Sequence, residues 1–197
     1  MGRTVTLLWL LAAAGSAGCL SAQPKPDRYD PIFRKYAKRM FGIGFDWRLF
    51  KAQGLAESGL ASEARSGVGA RGVMQLMPST FREIQSKNPD FRSVDDPEWN
   101  IAAGIYYDRQ LWRQWSGDVT DGDHHRFMFG SYNAGRVPIL TAQRVAREEH
   151  LDPRQWANVE RVAPRVPRWR HQETLGYVVR IRDQLKRMDP KGRLTLQ

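Results

Sequence analysis

The sequence predicts a mainly α-helical, single-domain protein, and three observations carry that prediction. Apolar residues recur at spacings of three and four through most of the chain, as in the last segment, with Leu175, Val178, Ile181 and Leu185. Residues that start helices stand just before such runs, among them Asp46 and the Asp152–Pro153 pair. Alternating strand-like residues never extend beyond about five positions, and no internal repeat is found. A length of 197 residues with 41% hydrophobic content is enough for one real core and suggests no second domain.

The elements follow in order. Arg3 precedes an apolar stretch from Val5 to Ala14, then the small residues Gly15, Ser16, Ala17 and Gly18, then Cys19. Residues 1–18 thus have the layout of a secretory signal peptide, too short and wrongly flanked for a spanning helix. The order S-A-G-C resembles a bacterial lipobox, which implies lipidation of Cys19 and a membrane anchor. Ser16 departs from the aliphatic residue usual there, and Leu20, where an inner-membrane retention signal places aspartate, favours the outer membrane. Cys19 is the only cysteine, so the mature domain cannot depend on an internal disulfide. Residues 19–32, with Pro24, Pro26 and Pro31, read as a tether, 33–188 as the domain and 189–197 as a tail.

Within the domain, Asp46 is expected to cap a helix over Trp47–Ser58. Gly67–Pro78 suggests a glycine-rich loop feeding a short buried segment, and Ser79 or Thr80 a cap for the next helix. Asn100–Trp115 reads as an amphipathic helix, and Ser116–His125 as a polar break. Further helices are expected over Phe127–Asn133, Pro138–Glu149, Pro153–Val162 with Asp152 as its cap, and Gln172–Met188.

A net charge of +10 points to an acidic partner: cell wall, anionic membrane or nucleic acid. The excess is scattered arginine, which equally describes a solvated face, and its spread together with the leader speaks against nucleic acid. No H-E-x-x-H, G-x-S-x-G or spaced Cys/His cluster is present, so no metal is expected. Gly67, Gly69 and Gly72 match G-x-G-x-x-G, but the preceding LASEARS is a poor strand and Pro78 follows too soon for a dinucleotide fold. Close backbone packing explains those glycines better. Asp118, Asp121, Asp123, His124 and His125 could offer ligands to calcium, yet their order is not that of an EF-hand, and a solvated loop is the favoured reading.

Glu57 stands near the end of an otherwise apolar helix, flanked by Leu55, Ala56 and Leu60. Desolvation there would raise its pKa, and an acid that protonates a glycosidic oxygen near neutral pH must move from about 4.3 to roughly 6 or 7, about 3 kcal/mol of bias. Taken alone, such a glutamate is more often a surface group near a helix end.

Four ordered blocks change that balance. Glu57–Ser58, Ser66 and GARGVMQLMP (69–78) are followed by DPEWNIAAGIYY from Asp96, SYNAG from Ser131 and ETLGYV from Glu173. Together they resemble the signature of the soluble-lytic-transglycosylase (SLT) domain family, over about Asp46 to Ile181. The resemblance implies a lysozyme-like catalytic domain with a substrate cleft, in which Glu57 is the catalytic acid/base. Ser66, Gln75, Met77 and Thr80 would line the glycan cleft, Tyr132 would sit beside the reacting sugar, and Glu173 would join the cleft's polar network. Met77 could equally be core, and Glu173 a structural ion pair. Asn100 and Asn133 are expected to anchor backbone. Ser131 stands where the family commonly has alanine, and the polar stretch from Trp115 to Arg126 is longer than usual.

The activity implied is cleavage of peptidoglycan between N-acetylmuramic acid and N-acetylglucosamine, without metal or cofactor. Glycosidases ordinarily use two carboxylates, whereas this motif supplies one. The family's route is substrate assistance, with the muramyl acetamido group supporting C1 and Glu57 closing a 1,6-anhydro ring. A hydrolytic muramidase on the same scaffold and a non-catalytic wall-binding lipoprotein are the competing readings.

Overall fold

The computed structural model describes residues 27–189, so the leader, Cys19, most of the tether and nearly all of the tail lie outside the described residues. Eight helices make up the described part: α1 (Asp30–Phe41), α2 (Arg48–Ser58), α3 (Pro78–Lys87), α4 (Pro97–Trp115), α5 (His124–Ala134), α6 (Arg136–Glu148), α7 (Trp156–Val162) and α8 (His171–Met188). Short 3₁₀ turns precede α5 and follow α7. No strand occurs among the described residues; the loop after α2 holds only two isolated bridges, Arg65 with Arg71 and Arg71 with Leu76.

α5 is the axis of the molecule. Phe127, Met128, Phe129, Gly130 and Ser131 are all buried, so this helix is enclosed on nearly every side and packs on α4, α6 and α8. Gly130 lies directly under the Trp156 ring: a Cβ there would come within 2.4 Å of the indole, which only glycine avoids. Trp115 donates its indole N–H to Ser131 at 3.0 Å, so the serine that replaces the family's usual alanine satisfies a buried donor. Around this axis α1 and α3 pack on α4, α7 packs on α6, and α2 pairs with α8. That last pairing positions the site.

Several boundaries differ from the sequence expectation. α1 begins at Asp30, inside the expected tether, because Asp30 and Asp27 both pair with the buried Lys51 of α2, at 2.6 and 3.0 Å. α4 begins at Pro97, three residues before Asn100, since Asp96 accepts from the N–H groups of Glu98 (2.8 Å) and Trp99 (3.2 Å). α3 is not capped by Ser79 or Thr80: Pro78 opens it directly after Met77. α7 starts at Trp156 rather than Pro153. Asp152 bonds locally, to the N–H and the guanidinium of Arg154, while the Trp156 N–H is met by Asp123, 33 residues away, at 3.0 Å.

Asp123 also accepts from the Thr120 hydroxyl and pairs with Arg126. His124 is buried, stacked on Trp112 with ring centroids 3.5 Å apart. The expectation of a solvated loop therefore holds at Asp118 and Asp121 but fails at Asp123 and His124. Those two side chains fasten the ends of α5 and α7.

Candidate active site

The site begins where α2 runs out. Leu49 to Gly54 are buried, and the chain reverses at Gly59 and Leu60, both with positive φ (63° and 67°). Glu57 is the penultimate residue of this helix and is held in place at its C-terminal turn. The neighbouring Ser58 hydroxyl donates to Val73 O at 2.8 Å and ties the helix to the loop over residues 61–77.

That loop is held by its own polar groups and by side chains reaching in from the neighbouring helices. Ser66 Oγ accepts the Ala70 N–H at 2.9 Å, closing a turn around Gly67, Val68 and Gly69. Gln75, at φ 44°, donates through Nε2 to Gly72 O (2.9 Å) and Ala64 O (3.2 Å). Asn100 reaches in from α4 with no exposed surface, accepting from Met74 N–H (2.8 Å) and donating to Arg71 O and Val94 O (2.9 Å each). Gly72 has φ 74°, and a Cβ on it would lie 2.5 Å from the Asn100 amide, so the glycine admits both the turn and the asparagine. This is the close packing expected of the glycine-rich segment.

Tyr132 of α5 donates its hydroxyl to Met74 O at 2.8 Å, and its ring lies 5.3 Å from Tyr107. From α8, the Tyr177 hydroxyl donates to Glu57 Oε1 at 2.6 Å. Burial is the main cause that lifts the Glu57 carboxyl from 4.5 to about 7. The Tyr177 hydrogen bond and the positive charge of Arg180 oppose that rise, and the negative charge of Glu173 adds to it. Burial, and after it the Glu57 charge, pushes both phenols well above their usual range, so both hydroxyls remain donors at neutral pH. The arrangement is one carboxyl group near half-protonation at neutral pH, gripped by one phenol and with a second nearby. It can give a proton and take one back.

The Transglycosylase SLT domain family model matches residues 34–153. The chain belongs to this family. Among curated relatives of this SLT chain, the membrane-bound lytic murein transglycosylase F of Stutzerimonas stutzeri (strain A1501) is 32% identical over 157 residues, 79% of this chain and 31% of that protein. The protein of the same name from Vibrio cholerae (strain ATCC 39541) is 30% identical over 139 residues, 71% of this chain and 24% of its own length. The chain thus spans less than a third of the length of these relatives. Among solved structures, the 70-kDa soluble lytic transglycosylase in complex with bulgecin A matches with a TM-score of 0.65 at 24% identity, over 87% of this chain and 25% of that one. An inactive mutant of the lytic transglycosylase Slt from Pseudomonas aeruginosa matches with a TM-score of 0.66 at 24% identity, over 84% and 24% of the two chains. These likenesses show the fold, which is the lysozyme-like one expected.

Against the SLT expectations, the geometry gathers Glu57 and Tyr132 around one centre and gives the other candidates distinct tasks. Ser66 and Gln75 are half-buried and hold the loop. Met77 is exposed, which removes it from the core, and Thr80 is half-buried in the first turn of α3. Glu173 pairs with Arg170 at 2.9 Å, as the ion-pair reading expects, and its negative charge also acts on Glu57. It also borders a cavity of about 390 Å³ formed with Trp169, Arg170, His171 and Gln172. Asn100 anchors backbone as expected. Asn133 does not: its Oδ1 accepts from the Thr174 hydroxyl at 2.9 Å and joins α5 to α8.

Tyr177 and Arg180 are site residues that the sequence pattern alone does not single out. The signal for Tyr177 lies within the ETLGYV block, four residues after Glu173 and therefore on the same helical face. Arg180, one turn further, has no such signal.

Proposed function

We propose that this SLT domain is a peptidoglycan lytic transglycosylase that cleaves the β-1,4 bond between N-acetylmuramic acid and N-acetylglucosamine, with Glu57 as its single acid/base. The observation that carries this reading is the Glu57 carboxyl itself, lifted to about 7 by burial and held at Oε1 by Tyr177. Near neutral pH a large fraction is protonated and able to act as an acid, and its conjugate base is strong enough to recover a proton. Oε2 faces the glycosidic oxygen in this reading.

Proton donation from Glu57 releases the N-acetylglucosamine oxygen as a hydroxyl while the muramyl acetamido oxygen supports the cation developing at C1. The Glu57 carboxylate then removes the proton from O6 of the same sugar, and O6 bonds to C1. One C–O bond breaks, one forms, and the proton on Glu57 is restored with no water consumed. Tyr177 donates to the carboxylate in its anionic stage, and Tyr132 lies beside the reacting sugar. Ser66, Gln75, Met77, Thr80 and Glu173 border the glycan cleft. Asp108, a carboxyl group of α4 that feels the Glu57 charge, has no exposed surface and cannot serve as the nucleophile of a two-carboxylate mechanism.

Mass spectrometry of muropeptides released from purified sacculi tests the reading. The expected products end in 1,6-anhydromuramic acid, about 18 Da lighter than hydrolysed ends through the loss of one water. Reducing ends as the main product would establish the muramidase instead.

The curated relatives are named as membrane-bound proteins. Among the described residues no helix is long and apolar enough to cross a membrane. We therefore assign export to the periplasm to the leader and membrane attachment to a lipid on Cys19. Cys19→Ala should move the protein from the membrane to the soluble periplasmic fraction. Equal, soluble fractionation of wild type and variant would make the leader an ordinary secretory signal.

A further inference from the structure

Behind the reacting carboxyl lies a second polar pair with no surface exposure. Gln53 is four residues before Glu57 on α2, one turn deeper, and faces Asp108 of α4. The Gln53 Nε2–H donates to Asp108 Oδ1 at 3.3 Å. Gln53 Oε1 and Asp108 Oδ2 are both buried without a partner. An ionised carboxylate only accepts hydrogen bonds, so with Asp108 charged these two oxygens are two acceptors that nothing satisfies. A single proton on Oδ2 makes one of them a donor. Oδ2–H then bonds Gln53 Oε1 while Nε2–H bonds Oδ1, the two-bond pairing of a carboxylic acid with a primary amide.

The surroundings argue the same way. The titratable groups that interact with Asp108 are Glu57 on α2, Tyr107 on α4, Tyr132 on α5 and Tyr177 on α8, none of them a cation. The adjacent Arg109 directs its guanidinium over the Phe41 ring, 5.2 Å from its centroid. A buried carboxylate with no cation to pair with is strongly disfavoured, and protonation removes that cost. Burial accordingly pushes the Asp108 carboxyl well above its ordinary range.

We propose that Asp108 is a neutral carboxylic acid locked to Gln53 in a two-bond acid–amide pair, and that this pair positions Glu57. It fixes the turn of α2 that carries Glu57 against α4. It also keeps a second negative charge away from a carboxyl that must release and recover its proton. Were Asp108 ionised, its charge would raise Glu57 further and hold it as an acid when the base is needed. The pair holds its own proton and transfers none. Its positioning role rests on the acid/base reading of Glu57; its protonation state does not.

The first experiment follows the aspartate side-chain carboxyls by ¹³C NMR in the full-length protein, with the Asp108 resonance assigned by its absence in Asp108→Asn. That resonance is expected to stay in the protonated range, without titrating, from about pH 5 to about pH 8. A resonance that reports carboxylate throughout overturns the proposal, whatever the activity of the enzyme.

The second experiment reads kcat and its pH profile on sacculi. Asp108→Leu strands Gln53 and should lower kcat about tenfold, the size of one lost buried hydrogen bond at the site. Asp108→Asn should recover most of that loss with the alkaline limb where wild type has it, because its amide can make both bonds uncharged. An asparagine no better than leucine, or one that moves the limb, refutes the positioning role. If Asp108→Leu does not fold, Gln53→Met strands the partner oxygen and replaces it in the comparison. Absence of turnover in wild type would defeat the proposed activity, while the NMR result would still decide the pair.

Discussion

The loop over residues 61–77, tied to α2 through Ser58, and the helix α8, which reaches Glu57 through Tyr177, do opposite kinds of work. In the loop, Ser66 and Gln75 hold the loop's own backbone, and Asn100 and Tyr132 reach in from α4 and α5 to hold it as well. Its polar groups make a rigid wall. α8 contributes few residues, yet Tyr177, Arg180 and Glu173 adjust the proton affinity of Glu57, each with a known sign. The polar side chains of the loop chiefly hold backbone, while the titration of Glu57 is tuned from a helix 120 positions further along the chain.

The sharpest way to break this comparison is to remove what both regions serve. Glu57→Gln keeps size and polarity but loses the titratable proton, so sacculus digestion should fall by at least about a hundredfold. The same variant tests the raised pKa through stability. Between 4.5 and about 7 the folded chain holds a proton on Glu57 that the unfolded chain has released, so stability declines as pH rises through that window. The glutamine variant escapes up to about 3 kcal/mol of that decline. It should therefore melt above wild type at pH 8, with the gap closing toward pH 4.5 as the unfolded chain takes up the same proton. A gap independent of pH would mean Glu57 titrates normally.

Asn100→Ala strikes the wall alone. It strands Met74 N–H, Arg71 O and Val94 O in the interior and should cost about 3 kcal/mol in denaturant unfolding. Activity should fall with it, yet the alkaline limb of kcat/KM should stay put, since the groups acting on Glu57 are untouched. A displaced limb would erase the division between the two regions.

The smallest effects come from α8 and have opposite signs. Tyr177→Phe removes a donor that favours the carboxylate, so the limb should move to higher pH. Glu173→Gln removes a like charge and should move it to lower pH, by less, because that charge is the weakest of the four causes. Melting temperature should change little in the Glu173 variant, whose carboxylate is exposed and paired only with Arg170.

Much of this is legible in the amino-acid sequence. Helical periodicity marks the all-α class and the main helices, and the four blocks mark Glu57, Tyr132 and the loop, because local propensity and short-range spacing are written directly in the chain. The GARGVMQ segment even shows its need for close packing through its glycines. The features that mislead are those whose partners lie far away. Asp152 has the sequence of a helix cap, but the α7 terminus is satisfied by Asp123. His124 reads as part of a polar loop, but Trp112 covers it.

The chemistry of the site depends on such distant pairings throughout. The sequence by itself determined that one carboxyl would end an apolar helix beside a glycine-rich loop. Only the tertiary structure decided how strongly that carboxyl holds its proton. Desolvation, the Tyr177 hydroxyl, the charges of Arg180 and Glu173, and the sealed Gln53–Asp108 pair all arise from the packing of α2 against α8 and α4. Electrostatic energies follow distance and burial in space, and neither is encoded by separation along the chain.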